Sequence, residues 1–241
     1  MPRFAVFMRN AVRRRLTELQ VTRLKFRITI NPVRKSMKRL TAILLVALLL
    51  PVSAALAAVP QESYIDKLGK DVVVLLADKE MAEAKRKAGF SKLLTQNFDL
   101  KTIGRFVLGR HWRDASDAQR SEYQKLFEKM VVTVYTQRFS DYSGQQLVVT
   151  GSVPAEGSQD VFVKSQIRQE GGPPVAVEWR VRSVGKGFKI VDAVVEGVSM
   201  SVTQRSDFDA IVAQGGVDGL IAELKNRTAN PAAAPDAIAK K

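Results

Sequence analysis

Residues 116–139 read SDAQRSEYQKLFEKMVVTVYTQRF, the stretch that decides the fold. Ser116 followed three residues later by Gln119 forms a capping box, in which each side chain satisfies a free backbone N–H of the first turn. Tyr123, Leu126, Phe127, Met130, Val131, Val134, Tyr135 and Phe139 then recur at three- and four-residue spacing, which predicts a long helix with one strongly apolar face. Beyond Gly144 the period changes to two. Val161, Val163 and Ile167 alternate with Phe162, Lys164, Gln166 and Arg168, and Val175, Val177, Trp179 and Val181 alternate with Ala176, Glu178, Arg180 and Arg182. Successive strand side chains point to opposite faces, so this pattern predicts half-buried antiparallel strands.

Leu147–Gly151 and Phe188–Val198 complete a sheet of about four strands, with turns at Pro154–Ser158, Gly171–Pro174 and Gly185–Gly187. Upstream of the long helix, Ile65, Leu68, Val72, Leu75 and Leu76 mark a first amphipathic helix over 63–76, followed by a charged stretch from Asp78 to Lys87. Phe90–Leu94 and Leu100–Leu108 read as two shorter helices, the second capped by Asp99 and ended by Gly109. After Ser201, Phe208, Ile211 and Val212 mark one helix and Val217, Leu220, Ile221 and Leu224 another, separated by Gly215-Gly216. Helices, then strands, then helices is an α+β order. The expected architecture is a curved antiparallel sheet with a helical layer on one face and an apolar pocket between them.

The chain has 241 residues, 46% apolar and 26% charged, with a formal charge of +14. That charge is concentrated upstream. Residues 1–36 carry 10 Lys or Arg and one acid, Lys38 and Arg39 add two more, and residues 58–241 hold 26 basic against 23 acidic residues, a balance of only +3. The mature domain is nearly neutral, which removes the reason to expect nucleic acid as its partner.

From Met37 the sequence MKRLTAILLVALLLPVSAALAAVPQ has a basic start, an apolar run from Ala42 to Leu50, Pro51, and a small-residue stretch ending in Ala55-Leu56-Ala57. This three-part form predicts a secretory signal over 37–58, cleaved after Ala57 or Ala58, and hence a periplasmic protein. An uncleaved membrane anchor is the alternative; Pro51 and the short core argue against it. Residues 1–36, with Arg13-Arg14-Arg15, precede a complete signal that has its own Met and are expected to reflect an over-called start. Residues 59–228 form the expected single domain, and the Ala/Pro-rich tail 229–241 reads as disordered.

A search for chemistry yields no convincing set. There is one histidine and no cysteine, so neither a histidine cluster nor a thiolate site can hold a metal. His111, between Arg110 and Trp112, reads as a local hydrogen-bonding group at a helix end. Gly104-Arg105-Phe106-Val107-Leu108-Gly109-Arg110-His111 imitates P-loop spacing, yet Arg stands in place of the phosphate-binding Lys and no strand precedes it. Asp192 and Glu196 fall on one face of the expected last strand as a conceivable acid pair, for which a solvated strand edge is the simpler account. Gly215-Gly216-Val217-Asp218-Gly219 before a helix could receive an anion on free N–H groups, and reads more simply as a turn.

Two long runs carry a resemblance. FDLKTIGRFVLGRHWRDASDAQRSEYQKLFEKMVVTVYTQRFSDY (98–142) and FKIVDAVVEGVSMSVTQRSDFDAIVAQGGVDGLIAELKNR (188–227) are similar to the MlaC family, also called the toluene-tolerance family of periplasmic auxiliary proteins. The matching phrases are Phe98-Asp99, Leu108-Gly109, Trp112, Phe127 and Tyr135, then Asp192, Val195-Glu196-Gly197-Val198-Ser199, Arg205, Phe208, Gly215-Gly216 and Asp218-Gly219-Leu220-Ile221. The resemblance covers roughly Tyr64 to Arg227. It implies an NTF2-like carrier, with no enzyme activity and no cofactor, that holds a phospholipid as cargo. The implied partners are an inner-membrane ABC transporter complex and an outer-membrane lipoprotein–porin complex, and the implied role is maintenance of outer-membrane lipid asymmetry. A hopanoid carrier of the same family and an enzyme on a similar curved-sheet fold, with His111 and a carboxylate as acid and base, are the alternatives.

A diacyl lipid has about 30 methylene groups, whose exposure at about 0.8 kcal/mol each would cost on the order of 24 kcal/mol. A carrier must replace that contact with dry side chains. The candidates are Phe106, Tyr123, Phe127, Met130, Val134, Tyr135 and Phe139 on the helical side, and Val163, Val177, Trp179, Val194 and Val198 on the sheet side. The same residues are also what an ordinary core would use.

Overall fold

A computed structural model describes residues 59–137 and 142–230. The signal, the segment before it, Phe139 and the tail from 231 lie outside the described residues. Helix α1 runs Pro60–Ala77, with proline in the first turn, where its missing N–H costs nothing. Its exposed face is braced by Lys67–Asp71 and Lys70–Asp66 pairs, each at 2.6 Å and four residues apart. Its other face lies on β1 (Gln146–Pro154) and β2 (Val161–Arg168). Gly69 allows that approach, since a Cβ there would stand 3.1 Å from Leu147 Cδ2.

Helix α2 spans Glu83–Asn97, longer at its start than the apolar residues alone predict. The charged residues before Phe90 are helical too, supported by the Glu83–Lys87 pair at 2.5 Å. Helix α3, Leu100–Leu108, has the expected boundaries: Asp99 accepts from Thr102 N at 3.0 Å, and Gly109 takes φ +61 beyond the last turn. A short α4 (His111–Asp114) leads to α5, Asp117–Gln137. The capping box forms as read, with Ser116 N donating to Gln119 Oε1 at 2.9 Å and Gln119 N to Ser116 Oγ at 3.2 Å.

The sheet continues through β3 (Val175–Val184), β4 (Gly187–Val195) and β5 (Val198–Ser199), in the sequential antiparallel order β1-β2-β3-β4-β5. It has five strands where about four were expected. Phe188–Val198 is not one strand: the chain reverses at Glu196 (φ 50) and Gly197 (φ 78), two left-handed residues that make a two-residue hairpin turn. Register shifts at Val149/Gly151 and at Arg180/Val181 insert bulges, which bend the strands and add to their twist.

Helix α6 follows at once and runs Met200–Ala229. The break expected at Gly215-Gly216 is reduced to one non-helical residue, Gly216 (φ 64, ψ −170), where the helix kinks. Helices α2, α3 and α6 meet the sheet along β4, whereas α5 packs mainly on α2, α3 and α6. A parallel bridge between Phe98 and Ile190, with Asp99 N donating to Ile190 O at 2.9 Å, ties the α2–α3 junction to β4. Two apolar cores result. One joins α3, α5 and α6; the other joins the sheet to α1.

Candidate functional site

The apolar candidates divide between these cores. Tyr123, Phe127 and Met130 are buried in the helical core with Phe208, Leu220 and Leu224, and Val134 packs at its edge. Tyr123 stacks on Phe127 at 5.9 Å between ring centroids, and both meet Phe208 edge-on at 6.2 and 6.3 Å. The Tyr123 hydroxyl donates to Gly104 O at 2.8 Å, and burial raises its pKa, so it remains a donor.

On the sheet side, Val163 is buried with Ile65, Val181 and Ile190, and Trp179 packs partly buried against them. Trp179 Nε1 donates to Ser165 Oγ at 2.9 Å, and Ser165 Oγ donates to Val177 O at 3.0 Å beside the buried Val177 side chain. Phe98 meets Trp179 edge-on at 6.4 Å. Tyr64, against Phe188, donates to Asn97 Oδ1 at 2.9 Å, and burial raises its pKa to about 12. Val194 is partly buried where β4 pairs with β5, and Val198 lies more open in β5.

Fully buried candidates already have protein neighbours on all sides. The surface open to a ligand lies at two helix ends, where Val72, Leu75, Leu76, Val131, Val134 and Tyr135, which the helical spacing marks, stand beside Val73, Val74 and Val132, which it does not. Val72, Val73, Leu75 and Leu76 end α1 partly buried, and Val74 among them is 72% exposed. Val131, Val132 and Val134 near the end of α5 are also only partly buried, and Tyr135 is 38% exposed. Five consecutive residues go more than once round a helix, so VVVLL (72–76) is apolar on every side. A helix of that kind is ordinarily buried on every side. Helix α2 packs between these two helices, touching both and bringing partly buried Phe90 and Leu93. Gly89 of α2 faces Leu75 so closely that a Cβ would stand 2.9 Å from Leu75 Cδ1. The missed signal was apolar residues on all faces of a helix end, which a one-face template discards.

Phe106 stands apart from both cores. It is 43% exposed and lines an open groove of about 480 Å³ with Thr102, Arg105, Arg110, Trp112, Arg113 and Arg205.

The polar candidates have structural partners. His111 Nε2 donates to Asp209 Oδ1 at 2.6 Å, and Arg110 reaches the same carboxylate at 3.1 Å. The His111 hydrogen bond, then the Arg110 charge, holds the Asp209 carboxyl below its usual range. Asp192 and Glu196 are not a pair, nor are they a solvated edge. Asp192 accepts from Ser199 Oγ at 2.6 Å and Ser201 N at 3.1 Å, and so fixes the start of α6. Glu196 Oε1 accepts from Ala176 N at 2.5 Å across the β5 turn. Asp218 accepts from Gln119 Nε2 at 2.7 Å, and the P-loop lookalike lies within α3 and its C-terminal turn. Among the described residues, no three His, Asp or Glu side chains converge to hold a metal, and no helix is long and apolar enough to cross a membrane.

Known proteins share this arrangement. A solved structure of a phospholipid-binding protein from Ralstonia solanacearum, in complex with a phospholipid, superposes with a TM-score of 0.62 at 24% identity. The superposition covers 71% of this chain and 98% of that one, and it establishes the common fold. The intermembrane phospholipid transport system binding protein MlaC of Haemophilus influenzae is 25% identical over 136 residues, 55% of this chain and 64% of that protein, so the match spans less than two thirds of that relative. Residues 66–226 match the family described as MlaC protein, which is most of the chain and nearly all of its described part; the chain belongs to the MlaC family.

Proposed function

We propose that this protein is a periplasmic carrier that holds a membrane phospholipid against the open apolar ends of α1 and α5 and catalyses no reaction. It shuttles that lipid between an inner-membrane ABC transporter complex and an outer-membrane lipoprotein–porin complex, and so maintains outer-membrane lipid asymmetry. The observation that carries this reading is Val72–Leu76 together with Val131–Tyr135: two apolar ends, of helices that α2 touches, that the fold leaves partly uncovered. Uncovered apolar surface costs about 25 cal/mol per Å², and an acyl chain removes that cost while being relieved of its own. Family membership, a transport-system relative and a phospholipid-bound neighbour support the choice of lipid.

The two-core arrangement suits such a cargo. Because α5 packs chiefly on other helices and α1 chiefly on β1 and β2, acyl chains entering along α2 need not dismantle either core. Residues 59–228 form the mature domain on this reading, released by cleavage of the signal over 37–58. With no energy source of its own, the carrier takes its direction from its partners.

Purification without detergent, lipid extraction and mass spectrometry test the reading. A stoichiometric glycerophospholipid is expected; a protein that never yields lipid would sink the proposal, and a polycyclic lipid would replace the cargo by a hopanoid. Sequencing the N-terminus of exported protein is expected to give a start at Ala58 or Val59.

A further inference from the structure

The groove beside Phe106 has a chemistry of its own. Arg105 lies over the Trp112 ring at 5.7 Å to its centroid, Arg120 over the same ring at 5.8 Å, and Arg205 over Phe106 at 5.3 Å. Gly109 makes room for this, since a Cβ there would stand 2.7 Å from Arg205 Nε. Arg110 is neutralised by Asp209 and Arg120 by Asp117. Arg105, Arg113 and Arg205 have no carboxylate within ion-pair distance among the described residues, and all three are exposed. They are gathered on a domain whose net charge is only +3.

A guanidinium can grip a carboxylate with two parallel hydrogen bonds, and a ring within cation–π distance narrows the freedom of the Arg105 and Arg205 guanidinium groups. Ordering cost is thereby met before a partner arrives. Phe106, 43% exposed with Arg205 over its ring, adds apolar surface beside these arginines, where an anchor side chain of a partner can dock. The groove is open, and three guanidinium groups without a carboxylate beside a part-exposed ring match a segment that carries carboxylates and an apolar side chain together.

We propose that the groove bounded by Arg105, Phe106, Arg113 and Arg205 is a docking site for an acidic segment of a partner protein that also presents an apolar side chain. The inference rests on the carrier reading in one respect, that a carrier must be recognised by what loads or unloads it. It goes beyond that reading in naming the surface and the chemistry of the partner. Carboxylates of the partner pair with Arg105, Arg113 and Arg205, and its apolar side chain covers Phe106. Association is accelerated by the local field and weakened by salt.

The test uses the mature protein and fluorescein-labelled short peptides of alternating glutamate and leucine, with glutamate-only and lysine–leucine peptides and phosphatidylglycerol vesicles as comparisons. Saturable binding of the glutamate–leucine peptide is expected, about tenfold weaker in the doubly substituted Arg105→Gln, Arg113→Gln protein. Phe106→Ser is expected to abolish the preference over the glutamate-only peptide. Both variants are expected to keep the thermal transition and the co-purified lipid of the parent. Binding that the arginine substitutions leave unchanged overturns the proposal. So does retention on the vesicles without peptide binding, or loss of lipid in step with peptide binding, which would place the groove in the cargo site. Peptide binding by a protein that carries no lipid would sink the carrier reading and leave the docking surface standing.

Discussion

The Tyr123 phenol of α5 donates to the carbonyl oxygen of Gly104 in α3 across 2.8 Å, and Gly104 is a glycine because nothing larger fits beneath that contact. A Cβ at 104 would stand 2.8 Å from the Gln124 amide and 2.9 Å from Phe127 Cδ1. Gly104→Ala is expected to force α3 and α5 apart and to cost about 1–3 kcal/mol despite the better helix propensity of alanine. Tyr123→Phe removes only the hydrogen bond and is expected to cost about 1 kcal/mol. Urea unfolding of both variants checks the order.

Asp192 holds Ser199 Oγ and Ser201 N while Ser199 Oγ accepts from Val202 N at 3.1 Å, so one carboxylate secures both the β5 hairpin and the first turn of α6. Asp192→Ala is expected to lower stability by about 1–3 kcal/mol, and Asp192→Asn, which can still accept, by less. Thermal melts followed by circular dichroism distinguish the two.

Asp160 is buried where the β1–β2 turn enters β2 and receives Arg182 Nε at 2.9 Å and Arg180 Nε at 2.7 Å. The Arg182 hydrogen bond, followed by that of Arg180, holds its carboxyl below the ordinary range. A depressed folded-state pKa stabilises the fold above the unfolded value of about 3.9 and loses that contribution as pH falls through the folded value. At neutral pH, Asp160→Asn is expected to be less stable by about 1–2 kcal/mol, discounted because both arginines are about one-third exposed. Below about pH 4 the two stability curves are expected to converge, which denaturant titrations across pH would show.

Val73 and Val132 are partly buried, so a carboxylate at either site can turn to water in the empty protein and, on the carrier reading proposed above, would face acyl chain in the loaded one. Val73→Glu and Val132→Glu are each expected to lower co-purified lipid about tenfold, matching a penalty of about 1–3 kcal/mol for a polar group left without partners. Native mass spectrometry measures the occupancy.

Extraction of the lipid is expected to lower the melting temperature of the parent protein and to leave that of Val132→Glu nearly unchanged. A ligand at a hundredfold excess over its Kd stabilises by about 2.7 kcal/mol, and a site that no longer binds cannot lose that contribution. Calorimetry before and after delipidation provides the comparison.

Local signals determined the elements of this protein. The Ser116–Gln119 box, the Asp99 cap, Gly109 and the two-residue alternation of β2 and β3 each act within a few residues, so the sequence alone placed α3, the start of α5 and strands β2 and β3, and the runs 98–142 and 188–227 pointed to the family. The hairpin at Glu196-Gly197 was missed because glutamate rarely takes a positive φ; only its contact with Ala176 across the sheet holds it there. Which apolar residues are sealed and which stay open was decided by tertiary structure alone. Tyr123 and Tyr135 carry the same periodic signal on one helix, yet the first is enclosed by α3 and α6 and the second is 38% exposed. Periodicity reports which residues avoid water, and burial depends on what the rest of the chain brings to cover them. The Phe106 groove follows the same logic: its arginines come from α3, α4 and α6, and only the fold sets Arg205 on a ring ninety-odd residues before it.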